Sequence, residues 1–277
     1  MEIAVESVPP ITATGLRFLI SAPCILLLAK CTGAPLCFPK GKRGFMCAVT
    51  VFYFAIPFTL MIVGEQYISS GLASIIFANM PLAVLAVSML SLGLRLLPHQ
   101  LVGLAVAIIS LCLILKNELD IGDNNDYAGI VALVTAVAIH AVMYVFTQKY
   151  GQGIQVLTYN ALPSAMAAVL LLIVGNLWEQ PQWHLMTTNS IQAVGYLGLI
   201  ASVGGIVAYF RLNQVTSPFT ASLCFLIFPI VALCLDAWLN NNHLSALSQQ
   251  LLAPLFIGIV VAKLSRFPSI RALVRSK

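Results

Sequence analysis

The chain has 277 residues, 60% of them apolar and only 8% charged, with a formal net charge of +5. A soluble domain carries about 25% charged residues, so this chain lacks the polar surface to face water, and a water-facing globular fold is excluded. The positive balance does not point to nucleic acid, because the positions of the charges have another explanation, given below.

In chain order, residues 1–10 hold Glu2 and Glu6, lack the basic start of a signal peptide and end in Pro9 and Pro10. Nine apolar runs follow: Ile11–Ala29, Phe45–Val63, Ser70–Leu92, Pro98–Leu115, Tyr127–Thr147, Val156–Val174, Ile191–Phe210, Phe219–Leu239 and Ala246–Leu264. Most have the length of about 18–22 residues that crosses a hydrocarbon core of about 30 Å. Run length and the lack of period-2 alternation predict helices rather than barrel strands. The expected fold class is an all-α integral membrane protein with nine spans.

Polar groups within these runs are the places to look for function, since each is costly in lipid and tends to face protein or a water-filled cavity. Span one carries Arg17, expected to snorkel to the nearer interface. Span two puts Thr50, Tyr53 and Pro57 on one face, and span three offers Ser74 and Asn79 beside Pro81, a proline that frees a backbone carbonyl. Span five holds His140, Tyr144 and Thr147 at i, i+4 and i+7, one helix face. Imidazole titrates near neutral pH, so His140 is a candidate proton carrier or substrate ligand. Span seven has Gly204 and Gly205, expected to let helices approach, with Tyr209 on the same face. Span eight has Phe225 one turn before Pro229, and near its end Asp236, for which both snorkelling and proton coupling are open readings.

The charges alternate by loop. Lys30, Lys40, Lys42 and Arg43 follow span one, Arg95 follows span three, Lys149 span five, Arg211 span seven, and five basic residues follow or end span nine. The other loops hold Glu65, then Glu118, Asp120, Asp123 and Asp126, then Glu179, with Lys116 their one basic residue. The positive-inside rule therefore predicts a cytoplasmic C-terminus and an external Met1. The seven cysteines show no zinc spacing and are read as free thiols.

An internal repeat underlies this pattern. "QYISSGLASIIFANMP" (66–81) and "QVTSPFTASLCFLIFP" (214–229) match at six of sixteen positions, each pair 148 residues apart. Gln66 and Gln214 fall in loops of opposite charge, so the repeat is inverted in the membrane and each unit needs an odd number of spans. Residues 127–264 supply five, while the first half supplies four. Inverted repeats with a site at their interface are a mark of secondary transporters.

Three segments carry a family resemblance: "VESVPPITATGLRFLISA", "GLASIIFANMPLAVLAVSMLSLGLRLLPHQLVGLAVAIISLCLIL" and "TSPFTASLCFLIFPIVALCLDAWL". They resemble the EamA family of the drug/metabolite transporter superfamily over nearly the whole chain. The resemblance implies ten helices in two inverted units of five. "MEIAVESVPP" is then the stump of a first helix, residues 1–116 an incomplete first repeat, 127–264 the second, and 265–277 a basic cytoplasmic tail. The family's Gly-Glu-Arg-Leu-like turns read here Gly93-Leu94-Arg95-Leu96 and Asn241-Asn242-His243-Leu244, both without the acid. A central cavity is implied, with spans two, three, five, seven and eight as its walls in this chain.

On that basis Tyr53, Pro57, Asn79, Pro81, His140, Tyr144, Tyr209 and Phe225 are the cavity candidates, and His140 and Asp236 the candidates for proton coupling. No nucleotide-binding loop, paired-acid cluster or His-Glu-x-x-His motif occurs in the sequence, so no enzyme, cofactor or metal is expected. The expected function is secondary transport, in the export direction, of a small metabolite such as an amino acid or related amphiphile across the inner membrane. Other cargo (a nucleobase, a cationic drug, a lipid headgroup) and a truncated non-transporting membrane protein are the alternatives. The expected partners are the small-molecule cargo, the bilayer and, as an option, a second copy of the chain in a homodimer, with no nucleic acid.

Overall fold

The computed structural model describes residues 2–68, 70–93, 97–118, 126–239 and 245–263. A helical turn, Glu2–Val5, precedes α1 (Pro10–Cys31), α2 (Arg43–Gly64), α3 (Leu72–Leu92), α4 (Pro98–Asn117), α5 (Tyr127–Tyr150), α6 (Val156–Trp178) and α7 (Thr188–Val215). α8 consists of a short piece, Pro218–Ser222, and Cys224–Leu239, and α9 spans Ala246–Lys263. Among the described residues, eight of these helices are long and apolar enough to cross a membrane, and α8 is the shorter ninth. Their outward faces carry Leu27, Leu90, Ile109, Leu177 and Ile257, all exposed, as a lipid-facing surface requires.

The largest departure from the expected spans is α7. It has 28 residues and runs past Phe210 through Arg211, Asn213 and Gln214. A run of apolar residues stops at its first charge; a helix does not, because its backbone bonds are indifferent to side-chain polarity.

The inverted repeat is visible in backbone irregularities. α2 is π-helical over Thr50–Ala55 and α7 over Leu197–Ile206. Thr50 and Gly198 stand 148 apart, the offset of the sequence repeat. α3 breaks at Asn79 and α8 at Leu223, each near its start. Each break is followed by a proline, Pro81 or Pro229, though the two breaks are not at equivalent positions. At Asn79 the backbone N–H turns to the Ile76 carbonyl (3.2 Å), and the Asn79 side chain donates to the Ile75 carbonyl thus left over (2.8 Å). The break is satisfied by its own residue, as buried backbone groups require.

Two layers of packing hold the bundle. α4 and α9 lie against each other through Gly103 and Gly258. A Cβ at Gly103 would sit 2.7 Å from the Gly258 carbonyl oxygen, and one at Gly258 would sit 2.6 Å from that of Gly103. Around this pair Leu104, Leu111, Phe219, Leu226 and Leu255 form one apolar cluster, which α3 joins through Ala78 and Leu85. The larger cluster lies between α2, α3, α5, α6 and α7 and includes Tyr53, Phe54, Met80, Tyr144, Tyr159 and Phe210. α1 packs on α6, where Gly175 meets Thr12 and Gly15 meets Leu172.

The interhelical bonds sort the loops into two ends. At one, Lys42 donates to the carbonyls of Tyr150 (2.9 Å) and Gln152 (3.0 Å), Lys149 to Ser91 (2.7 Å), and Gln214 to Ile154 (2.7 Å). At the other, the Asp126 N–H donates to Tyr67 (2.9 Å), and the Glu179 carboxylate accepts from the Ile11 N–H (2.7 Å), the Thr12 N–H (2.8 Å) and the Thr12 hydroxyl (2.8 Å). The basic loops share the first end and the acidic loops the second. Arg95 and the C-terminal tail lie outside the described residues.

Glu179 thus caps α1 from another helix, satisfying two of the orphan donors of its first turn with a charged acceptor. Glu179→Ala is expected to cost about 2 kcal/mol, the scale of a lost cap with charge-assisted bonds. The thermal midpoint of the purified protein in detergent should fall accordingly, and an unchanged midpoint would show the cap to be dispensable.

Candidate functional site

A cavity of about 660 Å³ lies between the two halves. Its walls are Arg17 of α1; Tyr53, Phe58, Met61 and Glu65 at and after α2; Ala73, Ser74, Phe77 and Met80 of α3; His140 and Tyr144 of α5; Ala201, Gly205, Ile206, Ala208, Tyr209 and Leu212 of α7; and Cys224 and Phe225 of α8. The α4–α9 pair and α6 stand behind these helices, and none of their described residues lines the cavity.

The rings form a continuous wall. His140 stacks on Tyr144 at 5.4 Å between centroids with only 3° between planes. Tyr53 packs on both, at 5.5 and 5.7 Å, and Tyr144 in turn meets Tyr209 at 4.4 Å and Phe225 at 6.1 Å. The i, i+4 spacing of His140 and Tyr144 produces this stack directly. The π-helical turn of α2 presents Tyr53 to the His140 ring. π turns gather at functional sites.

Among the described residues, His140 Nε2 and the Tyr209 hydroxyl are buried without a hydrogen-bond partner. His140 is only 3% exposed. An unpaired buried polar group costs about 1–3 kcal/mol. Both atoms belong to residues that line this one cavity.

Arg17 corrects the sequence expectation. It does not snorkel: it is 5% exposed and lines the cavity. Its Nε donates to Ser202 Oγ at 2.8 Å, and its guanidinium lies 4.6 Å from the centre of the Phe58 ring. Ser202 belongs to the π-helical turn of α7 and its hydroxyl donates to the Leu197 carbonyl (3.0 Å). The backbone irregularity thus turns a hydroxyl toward the cation. Glu65 lines the same cavity and acts electrostatically on Arg17.

Of the other candidates, Tyr53, His140, Tyr144, Tyr209 and Phe225 come together here. Pro57, Asn79 and Pro81 are not among the lining residues. Pro57 lies inside α2, just after its π-helical turn, Pro81 sits in the first turn after the break at Asn79, where a missing N–H costs no bond, and Asn79 is used up on the Ile75 carbonyl. Thr147 lines a different cavity. Gly204 and Gly205 do not mediate close packing: a Cβ at either would have no described atom within 4 Å, and Gly205 borders the cavity. The Asp236 side chain lies outside the described residues. Arg17, Glu65, Phe58, Phe77 and Met80 were not singled out as cavity residues from the sequence. Only the charges of Arg17 and Glu65 could have marked them.

Comparison with known proteins decides the family. The model of the EamA-like transporter family matches residues 1–116 and 127–264. The chain belongs to the EamA-like transporter family. It is 44% identical over 266 residues to Protein PagO of Salmonella typhimurium strain LT2, covering 96% of this chain and 88% of PagO. It is 40% identical over 261 residues to an uncharacterized transporter of Buchnera aphidicola subsp. Schizaphis graminum, covering 94% and 87%. The uncharacterized inner membrane transporter YedA of Escherichia coli K12 shares 26% over 272 residues, covering 96% and 86%. A solved crystal structure superposes with a TM-score of 0.74 at 17% identity over 94% of this chain and 90% of the other, a likeness of fold. This EamA protein is therefore a multi-pass membrane transporter of the kind the repeat and the resemblance implied.

Proposed function

We propose that this EamA protein is a secondary transporter that exports a small amphiphilic metabolite of the amino-acid kind across the inner membrane, and that the cargo occupies the central cavity. The supporting observation is the pairing of an aromatic wall with two unmatched buried polar atoms, His140 Nε2 and the Tyr209 hydroxyl, in about 660 Å³. That volume falls within the range of about 300–1,000 Å³ typical of small-molecule sites. The rings take the apolar body of the cargo. A cargo N–H can pair with His140 Nε2, and the Arg17 and Glu65 charges suit a solute that bears charges of its own. His140 is also the residue we assign to proton coupling, since it lines the cavity and its Nε2 is buried without a partner among the described residues.

The test is reconstitution. Proteoliposomes loaded with unlabelled amino acids should accumulate tritiated amino acids by counterflow faster than empty liposomes, and a pH gradient should alter the rate. Flux equal to that of empty liposomes for every amino acid would sink the amino-acid reading.

The basic end of the bundle is assigned to the cytoplasm by the positive-inside rule. A thiol reagent that cannot cross the membrane should then reach an engineered Gln182→Cys, in the turn between α6 and α7, on intact cells. It should miss Lys40→Cys, between α1 and α2, until the cells are opened. The reverse pattern would invert the assignment.

A further inference from the structure

A second cavity, of about 630 Å³, opens at the basic end around the turn between α5 and α6. Gln148, Gln155, Arg211, Asn213 and Gln214 give it an amide-rich lining unlike the aromatic central cavity. A single layer of rings separates the two. Tyr53 lines the central cavity, Tyr159 lines the second, and Phe210 lies between them, 4.6 Å from Tyr53 and 5.2 Å from Tyr159 by centroid.

Asn213, one turn beyond Phe210, is 4% exposed and lines this second cavity. Its Nδ2 donates to the Tyr144 carbonyl (3.0 Å) and to Thr147 Oγ1 (3.3 Å). These bonds fix the amide plane and leave Oδ1 buried with no partner among the described residues. The carbonyl that holds Asn213 belongs to the residue whose ring walls the central cavity. Both partition walls hang on irregular backbone: Tyr53 lies within the π-helical Thr50–Ala55, and Phe210 follows the π-helical Leu197–Ile206 by one turn. Such turns gather at functional sites.

We propose that the basic-end cavity is a second binding station for the cargo on the transport path, and that Phe210 is the gate between this station and the central cavity. The station suits a small solute that carries an N–H donor for Asn213 Oδ1 and an anionic group for Arg211. This chemistry rests on the amino-acid reading above; the gate does not. Cargo entering from the basic end pairs first with Asn213 and passes to His140 and Tyr209 when Phe210 swings off Tyr53. Tyr159 backs the gate, with its hydroxyl donating to the Thr147 carbonyl (3.2 Å). It has room there because position 151 is glycine: a Cβ would come within 1.3 Å of the Tyr159 oxygen.

Cys224, a free thiol on the wall of the central cavity, is a native reporter. With the other six cysteines replaced by serine, a charged methanethiosulfonate reagent is applied to membrane vesicles of either orientation. From the basic face, Phe210→Ala should label Cys224 at least tenfold faster than the parent, with Phe210→Leu between them. From the Glu65 face all three should label alike, which shows that the variants are folded. Equal basic-face rates in parent and both variants, with Glu65-face labelling intact, would overturn the gate. For the station, Gln155→Cys is labelled with and without a mixture of the common amino acids. Protection that disappears on Asn213→Leu supports the station. Protection of Cys224 without protection of Gln155→Cys overturns it and leaves the central site standing. Protection of neither thiol overturns the amino-acid reading and the station with it, while the Cys224 rates still decide the gate.

Discussion

Alanine at Gly258 is expected to destabilise the protein by about 3 kcal/mol, whereas alanine at Gly204 leaves it unchanged within about 0.5 kcal/mol. Both glycines lie in apolar helices, and by helix propensity alone either change should be favourable by up to about 1 kcal/mol. The difference is in what the new methyl group meets. At Gly258 it would lie 2.6 Å from the Gly103 carbonyl oxygen and 2.7 Å from the Ala107 nitrogen, both backbone atoms that cannot rotate away. α4 and α9 would have to separate along their length, opening contacts between Leu104, Leu111 and Leu255. At Gly204 no described atom lies within 4 Å of that methyl. Thermal melting of the two variants in detergent measures the contrast. Equal midpoints would show that the α4–α9 contact is not what holds these helices together.

Transport should fall at least tenfold for His140→Ala and for Tyr144→Ala, and stay near the parent rate for Cys112→Ala. A tenfold loss corresponds to about 1.4 kcal/mol, and a single well-placed ring contact contributes about 0.5–1.5 kcal/mol. Tyr144 contributes more than one such contact, since it touches His140, Tyr53, Tyr209 and Phe225. His140 offers the unmatched Nε2. Cys112 lies in α4, packed against the apolar cluster behind the cavity. Counterflow rates normalised to the amount of reconstituted protein give the comparison. Three equal rates would remove α5 from the transport path.

The sequence alone carried the fold class and the sorting of its loops. Lipid leaves a backbone no hydrogen-bond partner but itself, so apolar runs of spanning length have to be helices. Charges stay out of the hydrocarbon, so the loops record which end of the bundle they belong to. A repeat at a constant offset of 148 residues survives in the residues that shape helix starts and prolines, and it recurs in the paired π-helical turns. The stack of His140 on Tyr144 was legible too, because i, i+4 neighbours share a face of any helix.

What only the tertiary structure decided is which face of each helix meets protein. In a helix that is apolar all round, polarity does not mark the buried side. Gly103 and Gly204 read alike in sequence, yet one is pressed against a neighbouring backbone and the other borders open space. Arg17 read as a snorkelling charge because its partners, Ser202 and Phe58, come from helices far away in the chain. Asn79 read as a ligand because the sequence does not show that its amide is spent on a carbonyl of its own broken helix. The second cavity is hidden from the sequence for the same reason that the apolar run of span seven ends before α7 does: its lining comes from polar residues at helix ends, which take on meaning only when three helices bring them around one space.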